Sequence, residues 1–315
     1  MGGMTVYLRL VRWWCVAACI VLLASCARMP STGKAPIQAS TFAQLQSYLV
    51  TQPPQLDTFR LSGPFEVVEQ NNYEFALAGA RSSSANVLKA DLFFASHKER
   101  APLVVIVHGY GASKEMHAYQ AMHVATWGLH ALTLQVPNEG PWVDNALKLR
   151  EIVAAVVRGS ALADPRIDTS RIILVGHSFG ASSVAVALAE GAPALGGILL
   201  DPATTERAVP VFLGKNKMPL MILGADEQTT VTTNRGHFFK YARSRVYELS
   251  IKDAIHEDAQ FPAADSRTTE ALQFTFAGAM TAAAMSLALT QKFDYAWASF
   301  DASFKSGKLL RPKTK

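Results

Sequence analysis

Cysteine is scarce in this chain. The 315 residues hold three, at positions 15, 19 and 26, so everything beyond Cys26 has none to pair and gains no internal disulfide. Charge is thin as well: Asp, Glu, Lys and Arg make up 17% of the residues, with a formal net charge of +5. That modest excess fits a solvated end or weak attraction to an anionic surface, and it does not identify nucleic acid as a partner. There is no internal repeat and no low-complexity block. Also missing are a Gly-x-Gly-x-x-Gly opening a nucleotide fold, a Gly-rich loop ending in Lys-Ser or Lys-Thr, and a His-Glu-x-x-His pair. His117 and His123 stand six apart on an expected helix, a poor spacing for a shared metal. No metal and no cofactor are therefore expected.

What is present begins with an N-terminal segment of distinct character. Arg9 and Arg12 precede WWCVAACIVLLA, twelve apolar residues, too few for a comfortable membrane span and read instead as a secretion signal over residues 1–25. Leu23-Ala24-Ser25-Cys26 closes it and resembles the bacterial lipoprotein processing box. That resemblance implies cleavage before Cys26, a lipid on the new N-terminus, and a location in the cell envelope, membrane-anchored and facing the periplasm or exterior. Loss of residues 1–25 removes Arg9 and Arg12 and no acid, so the formal charge falls from +5 to +3. Residues 26–41, rich in Ala, Pro, Ser and Thr, read as a tether, 42–305 as one folded domain, and 306–315 as a basic tail. Half of all residues are apolar, enough for a sizeable core in a domain of roughly 280 residues.

Within that domain the patterning changes once. FRLSGPFEVVE, YEFALAG and NVLKADLFF, between residues 55 and 95, alternate partially and predict antiparallel strands. After them come short apolar runs: LVVIV (103–107), HALTLQV (130–136), RIILV (171–175), GGILLD (196–201), PLMILG (219–224) and VYELSI (246–251). MHAYQAMHVATWG, NALKLREIVAAVVRG and SSVAVALAEG, with helical spacing, fall between them. Strands buried on both faces and alternating with helices predict an α/β fold with a mostly parallel central sheet and helices on both faces. The Ala- and Met-rich stretch from Thr268 to Gln291 predicts a long helix packed on that sheet rather than in a bilayer.

The chemistry centres on GHSFG. Gly176-His177-Ser178-Phe179-Gly180 follows the strand RIILV and precedes a helix, the context in which a serine is lifted on a sharp turn with its hydroxyl exposed above the sheet. With His108-Gly109-Tyr110-Gly111 directly after LVVIV, the chain resembles the α/β-hydrolase superfamily over about residues 85–262. The resemblance implies a serine hydrolase cleaving carboxylic esters, of esterase or lipase type. Ser178 would be the nucleophile, His256 in SIKDAIHEDAQF the base, and the backbone amides of Tyr110 and Phe179 the oxyanion donors. Ala181 stands where a second glycine is common, a change of one methyl group.

The acid has two possible places. GHSFG, GILLDP and IHEDAQF together are similar to the platelet-activating-factor acetylhydrolase group, in which the triad aspartate follows the earlier strand, and this points to Asp201. Most of the superfamily, whose dienelactone-hydrolase and polyester-hydrolase branches are similar in sequence to this chain, carries its acid after the later strand, where Asp226 and Glu227 stand. The aspartate of the polyester hydrolases and cutinases aligns here with Gln228, which can accept a hydrogen bond but carries no charge. Only about 17 residues separate Asp201 from the next strand, so no large lid domain is expected and the site should be open to bulky ester substrates, lipid-like ones included. Tyr110, Trp142 and Phe179 are its expected walls, with Trp142 in the loop NEGPW beside Asn138 and Glu139. The competing reading is a non-catalytic envelope lipoprotein that binds a ligand or partner on the same scaffold.

Overall fold

A computed structural model describes residues 33–76, 87–137, 140–230, 232–263 and 265–315. Cys26, Asn138 and Glu139 lie outside the described residues, as do the signal and the first part of the tether.

Nine strands form a single sheet in the order β1-β2-β4-β3-β5-β6-β7-β8-β9. β1 (Val67–Ala76) and β2 (Val87–Ala95) pair antiparallel, and β2 meets β4 (His130–Leu134) the same way. From β4 the sheet runs parallel through β3 (Ala101–Val107), β5 (Ile167–His177), β6 (Gly197–Leu200), β7 (Leu220–Ala225) and β8 (Val246–Ile251). Both expectations, antiparallel strands first and then a parallel block, describe the observed sheet. The apolar runs are continuous rather than alternating because every residue of β3, β4, β6, β7 and β8 is buried.

Helices cover both faces. One face carries α4 (Trp142–Val157), α5 (Phe179–Ala189), α6 (Val209–Leu213) and α7 (Arg235–Tyr241). The other carries α3 (Ala118–Thr126) and α8 (Glu270–Thr290), flanked by α1 (Phe42–Thr51), α2 (Leu56–Phe59), α9 (Asp294–Ser299) and α10 (Asp301–Lys305). The adjacent glycines 196 and 197 mark the two sides. A Cβ on Gly196 would lie 3.2 Å from Leu287 of α8, and one on Gly197 would lie 2.9 Å from Leu188 of α5. By length and composition α8 could cross a membrane, but it is buried against the sheet. Its Ala-Gly-Ala surface lets it approach closely: a Cβ on Gly278 would meet the Arg60 backbone at 2.9 Å.

Two boundaries differ from the expected ones. Residues 306–315 are not a free tail, because β9 (Leu309–Thr314) pairs antiparallel with β8 and closes that edge of the sheet. Leu309 is buried while Arg311 to Thr314 are exposed. A Lys- and Pro-bearing strand is the usual way to blunt an edge, and the same residues read as a solvated end when the sheet is not in view. The tether likewise gives way to docked chain by Gly33. Ala35 N–H donates to the Ser62 carbonyl (2.7 Å), Ser62 N–H to the Gly33 carbonyl (2.9 Å), and Ala35 and Ile37 are buried.

Candidate active site

Strand pairing alone brings the site together. Parallel register sets His177 of β5 opposite Leu200 of β6, Leu200 opposite Leu223 of β7, and Ala225 opposite Ile251 of β8. The loops that follow these strands therefore open on one edge of the sheet, and they carry Ser178, Asp201 and His256.

Ser178 joins β5 to α5 with φ 54° and ψ −124°, a region that a side-chain-bearing residue occupies at a cost of about 1–3 kcal/mol. Neighbouring backbone holds it there. Its N–H donates to the Leu200 carbonyl (3.0 Å), and its own carbonyl accepts from the N–H groups of Ala181 and Ala203 (3.1 Å each). The flanking glycines are sites of close backbone crossing. A Cβ at Gly176 would come within 2.4 Å of the Gly180 carbonyl oxygen, and one at Gly180 within 2.4 Å of that of His108. Ala181 is fully buried and accommodated.

His256 begins a short 3-10 turn after β8, and its Nδ1 lies 2.6 Å from Asp201 Oδ2. The two carboxylates after β7 are engaged elsewhere: Asp226 with Arg311 at 2.8 Å, Glu227 with Arg267 at 3.6 Å. Of the three acids weighed in the sequence, Asp201 is the one bonded to His256. Burial opposes the Asp201 charge, but the hydrogen bond and charge of His256, the Arg235 guanidinium and the Ala225 N–H outweigh it and hold the carboxyl below its usual range. Asp258 braces the histidine loop by accepting from Ile255 N–H (2.9 Å) and Thr269 N–H (3.0 Å). Burial raises its pKa.

The loop after β3 presses on the serine, since a Cβ on Gly109 would lie 2.7 Å from Ser178 Cβ and 3.3 Å from its Oγ. His108 locks this loop. Its Nε2 accepts from Val136 N–H (3.1 Å) and faces Gln135 Nε2 at 2.8 Å, so the proton sits on Nδ1, which donates to the Gly109 carbonyl (2.8 Å). Burial keeps its pKa below the ordinary imidazole value. Tyr110 follows directly and is 67% exposed. Phe179 opens α5, where the first N–H groups of the helix have no intrahelical acceptor.

Tyr110, Trp142 and Phe179 line one cleft of about 790 Å³ with Pro141, Glu206 and Arg207. Trp142 stacks on Phe179 (5.6 Å between centroids, 15°) and is largely buried, so it is core and wall at once. Ser183 Oγ donates to its carbonyl (2.8 Å), and the Glu206 carboxylate accepts from the N–H groups of Trp142 (2.5 Å) and Val143 (3.2 Å), capping α4. Among the described residues no group of three or more His, Cys, Asp and Glu side chains is arranged to hold a metal ion.

Three contributors escaped the sequence reading. His177 packs against the histidine of the site. Its ring packs 4.6 Å from that of His256, and its Nε2–H donates to the His256 carbonyl (3.2 Å). Gln135 supports His108. Arg235, in α7, reaches Asp201 at 2.6 Å. The residue before the serine was a signal for His177, whereas Gln135 and Arg235 sit in no motif.

Ser178, Asp201 and His256 thus lie on loops along one edge of the sheet, with the imidazole hydrogen-bonded to a buried carboxylate. Residues 104–305 match the model of the Alpha/beta hydrolase family. Cutinase 1 of Thermobifida cellulosilytica is 25% identical over 213 residues, covering 64% of this chain and 75% of that protein. The cutinase of Thermobifida fusca (strain YX) is equally similar, with 65% of its length covered. A parallel sheet with a strained serine turn and a histidine loop along one edge, and a family match spanning most of the domain, make this chain a member of the α/β hydrolase family.

Proposed function

We propose that this protein is a serine hydrolase of carboxylic esters, esterase or lipase in type, held at an envelope membrane by a lipid on Cys26. The observation that carries the catalytic reading is the 2.6 Å contact between His256 and a fully buried Asp201, beside a serine at φ 54°. His256 takes the Ser178 proton as the hydroxyl attacks the ester carbonyl. The N–H groups of Tyr110 and Phe179 receive the oxyanion, and protonated His256 returns its proton to the leaving alcohol. Water then repeats these steps on the acyl-enzyme, releasing the acid. Asp201 keeps the imidazole in the tautomer with Nδ1 protonated and offsets the imidazolium charge.

An open cleft with aromatic walls, and relatives named as cutinases, support bulky esters as substrates. The test is hydrolysis of a p-nitrophenyl ester series from acetyl to palmitoyl by the full chain in detergent, beside Ser178→Ala. Turnover is expected to fall by about 10³-fold or more in the variant. Equal rates in both folded proteins, or no turnover anywhere in the series, would overturn the reading in favour of a binding scaffold. The anchor rests on the resemblance of LASC to a lipoprotein box. Cells fed labelled palmitate should label the wild type and not Cys26→Ser, and equal labelling of the two removes the proposal.

A further inference from the structure

Arg235 has a place in the fold that surface packing does not explain. It is the first residue of α7 and only 2% exposed. Nη1 donates to Asp201 Oδ1 (2.6 Å) and to the Ala225 carbonyl (2.7 Å), and Nη2 donates to Ser250 Oγ (3.1 Å). One planar group thus ties the loop after β6 to the ends of β7 and β8, the strands that lead to the histidine. Asp201 itself has a positive φ of 34°, so its carboxylate is presented by a strained backbone. Its two oxygens divide the work: Oδ2 faces His256, while Oδ1 accepts from Arg235 and from Ala225 N–H (2.9 Å).

The backbone of β7 is cut to fit this guanidinium. A Cβ on Gly224 would lie 2.4 Å from Arg235 Nη1, 2.5 Å from Cζ and 2.9 Å from Nε. The glycine has φ outside the left-handed region, so space rather than backbone freedom is what its missing side chain supplies.

We infer that Arg235 is a positioning residue of this site, fixing the rotamer of Asp201 and sharing its charge so that His256 meets a restrained carboxylate. The inference rests on the serine-hydrolase reading for its consequence in turnover. A carboxylate bonded to a guanidinium on one oxygen offers less uncompensated charge to an imidazolium on the other. Other groups facing the pair are already engaged. Glu248 of β8 lies 3.8 Å from Arg235 Nε and 3.6 Å from Lys313 of β9. His177 of β5 packs on the imidazole, and burial lowers its pKa well below the ordinary imidazole value. After β7, Asp226 and Glu227 are paired with Arg311 and Arg267, and Asp258 is bonded to backbone N–H groups in the histidine's own loop.

The test compares wild type, Arg235→Gln, Arg235→Lys and Gly224→Ala as full chains. Each is checked for folding by circular dichroism and assayed for kcat and KM across pH on one short p-nitrophenyl ester. For Arg235→Gln, kcat should fall by about 10- to 100-fold with KM within about twofold. The acid limb of kcat/KM should move upward by about one pH unit, because a cation has gone from beside the pair. Arg235→Lys should recover the limb and part of kcat. Gly224→Ala keeps the arginine but displaces it, and should behave like Arg235→Gln. A second readout needs no turnover: the low-field proton resonance of the His256–Asp201 hydrogen bond should shift or broaden in Arg235→Gln and Gly224→Ala. Folded variants with wild-type kcat, acid limb and resonance would overturn the role. A wild type that fails to cleave esters sinks the hydrolase reading instead, and the resonance still decides Arg235. Should Arg235→Gln not fold, Arg235→Lys and Gly224→Ala carry the decision.

Discussion

Asp201 and Asp226 are the same residue type at the ends of neighbouring strands, and their surroundings separate them. Asp201 is fully buried between an imidazole and a guanidinium; Asp226 is at the surface, paired with Arg311. Substituting Asn should therefore have unequal effects. On the proposed serine-hydrolase reading, Asp201→Asn takes away the charge bonded to His256 and should lower kcat by about 10³- to 10⁴-fold. Asp226→Asn loses a partly exposed ion pair, worth about 0–1 kcal/mol, and should leave kcat within about twofold. Parallel kinetics on the two variants check this, and a larger loss from Asp226→Asn would return the acid to the later loop. From sequence both positions were open, because each ends a strand on the same edge of the sheet. Ser178 and His256 were singled out for a different reason: the glycine spacing around the serine reports a backbone crossing, and SIKDAIHEDAQF after the last parallel strand is similar to the superfamily's histidine loop.

At the scale of elements, the parallel strands and their helices were readable because a strand buried on both faces must be apolar throughout. The C-terminal strand was not. β9 gives only Leu309 fully to the core and meets solvent with Arg311, Lys313 and Thr314. Local chemistry cannot distinguish such a strand from a solvated end; only its partner, β8, does so. Yet β8 carries Tyr247, Leu249 and Ile251, all buried, and without β9 its outer row of backbone groups would be open to other chains. Ending the chain at Gly307 should lower the melting temperature and promote aggregation on heating. Differential scanning calorimetry with light scattering would check it, and an unchanged melt would reduce β9 to an ornament of the edge.

For the molecule as a whole, histidine burial is the main link to pH. Burial first, with nearby imidazoles for some, holds His117 at about 3 and His123 and His130 at about 4, against an ordinary value of 6.5. His177 is likewise well below it. Because the folded pKa values are depressed, the unfolded chain binds more protons once pH drops below about 6.5. The stability these groups contribute is then present above that pH and lost progressively down to about 4 or 3. Each can add up to about 1.4 kcal/mol per pH unit to the slope. Urea unfolding from pH 7 to 4 should show a steep decline, flatter in His117→Phe by about one group's share. Asp201, whose folded pKa is lowered, adds its own loss only at the acid end, as pH falls through the carboxylate range.

The sequence by itself determined the class of fold and marked Ser178, His256 and the loop at 108–111 as the proposed site, through periodicity of burial, glycines where backbones cross, and likeness of the loop motifs and their order to the α/β-hydrolase pattern. Tertiary structure alone decided which carboxylate serves His256, that Arg235 stands behind it, and that the last residues are a strand. Those are facts about neighbours far apart in the chain. Asp201, Arg235 and His256 span 55 positions and meet only because β6, β7 and β8 lie side by side in register. A carboxylate's role is set by the charges packed around it, and a linear pattern of residue types does not contain that packing.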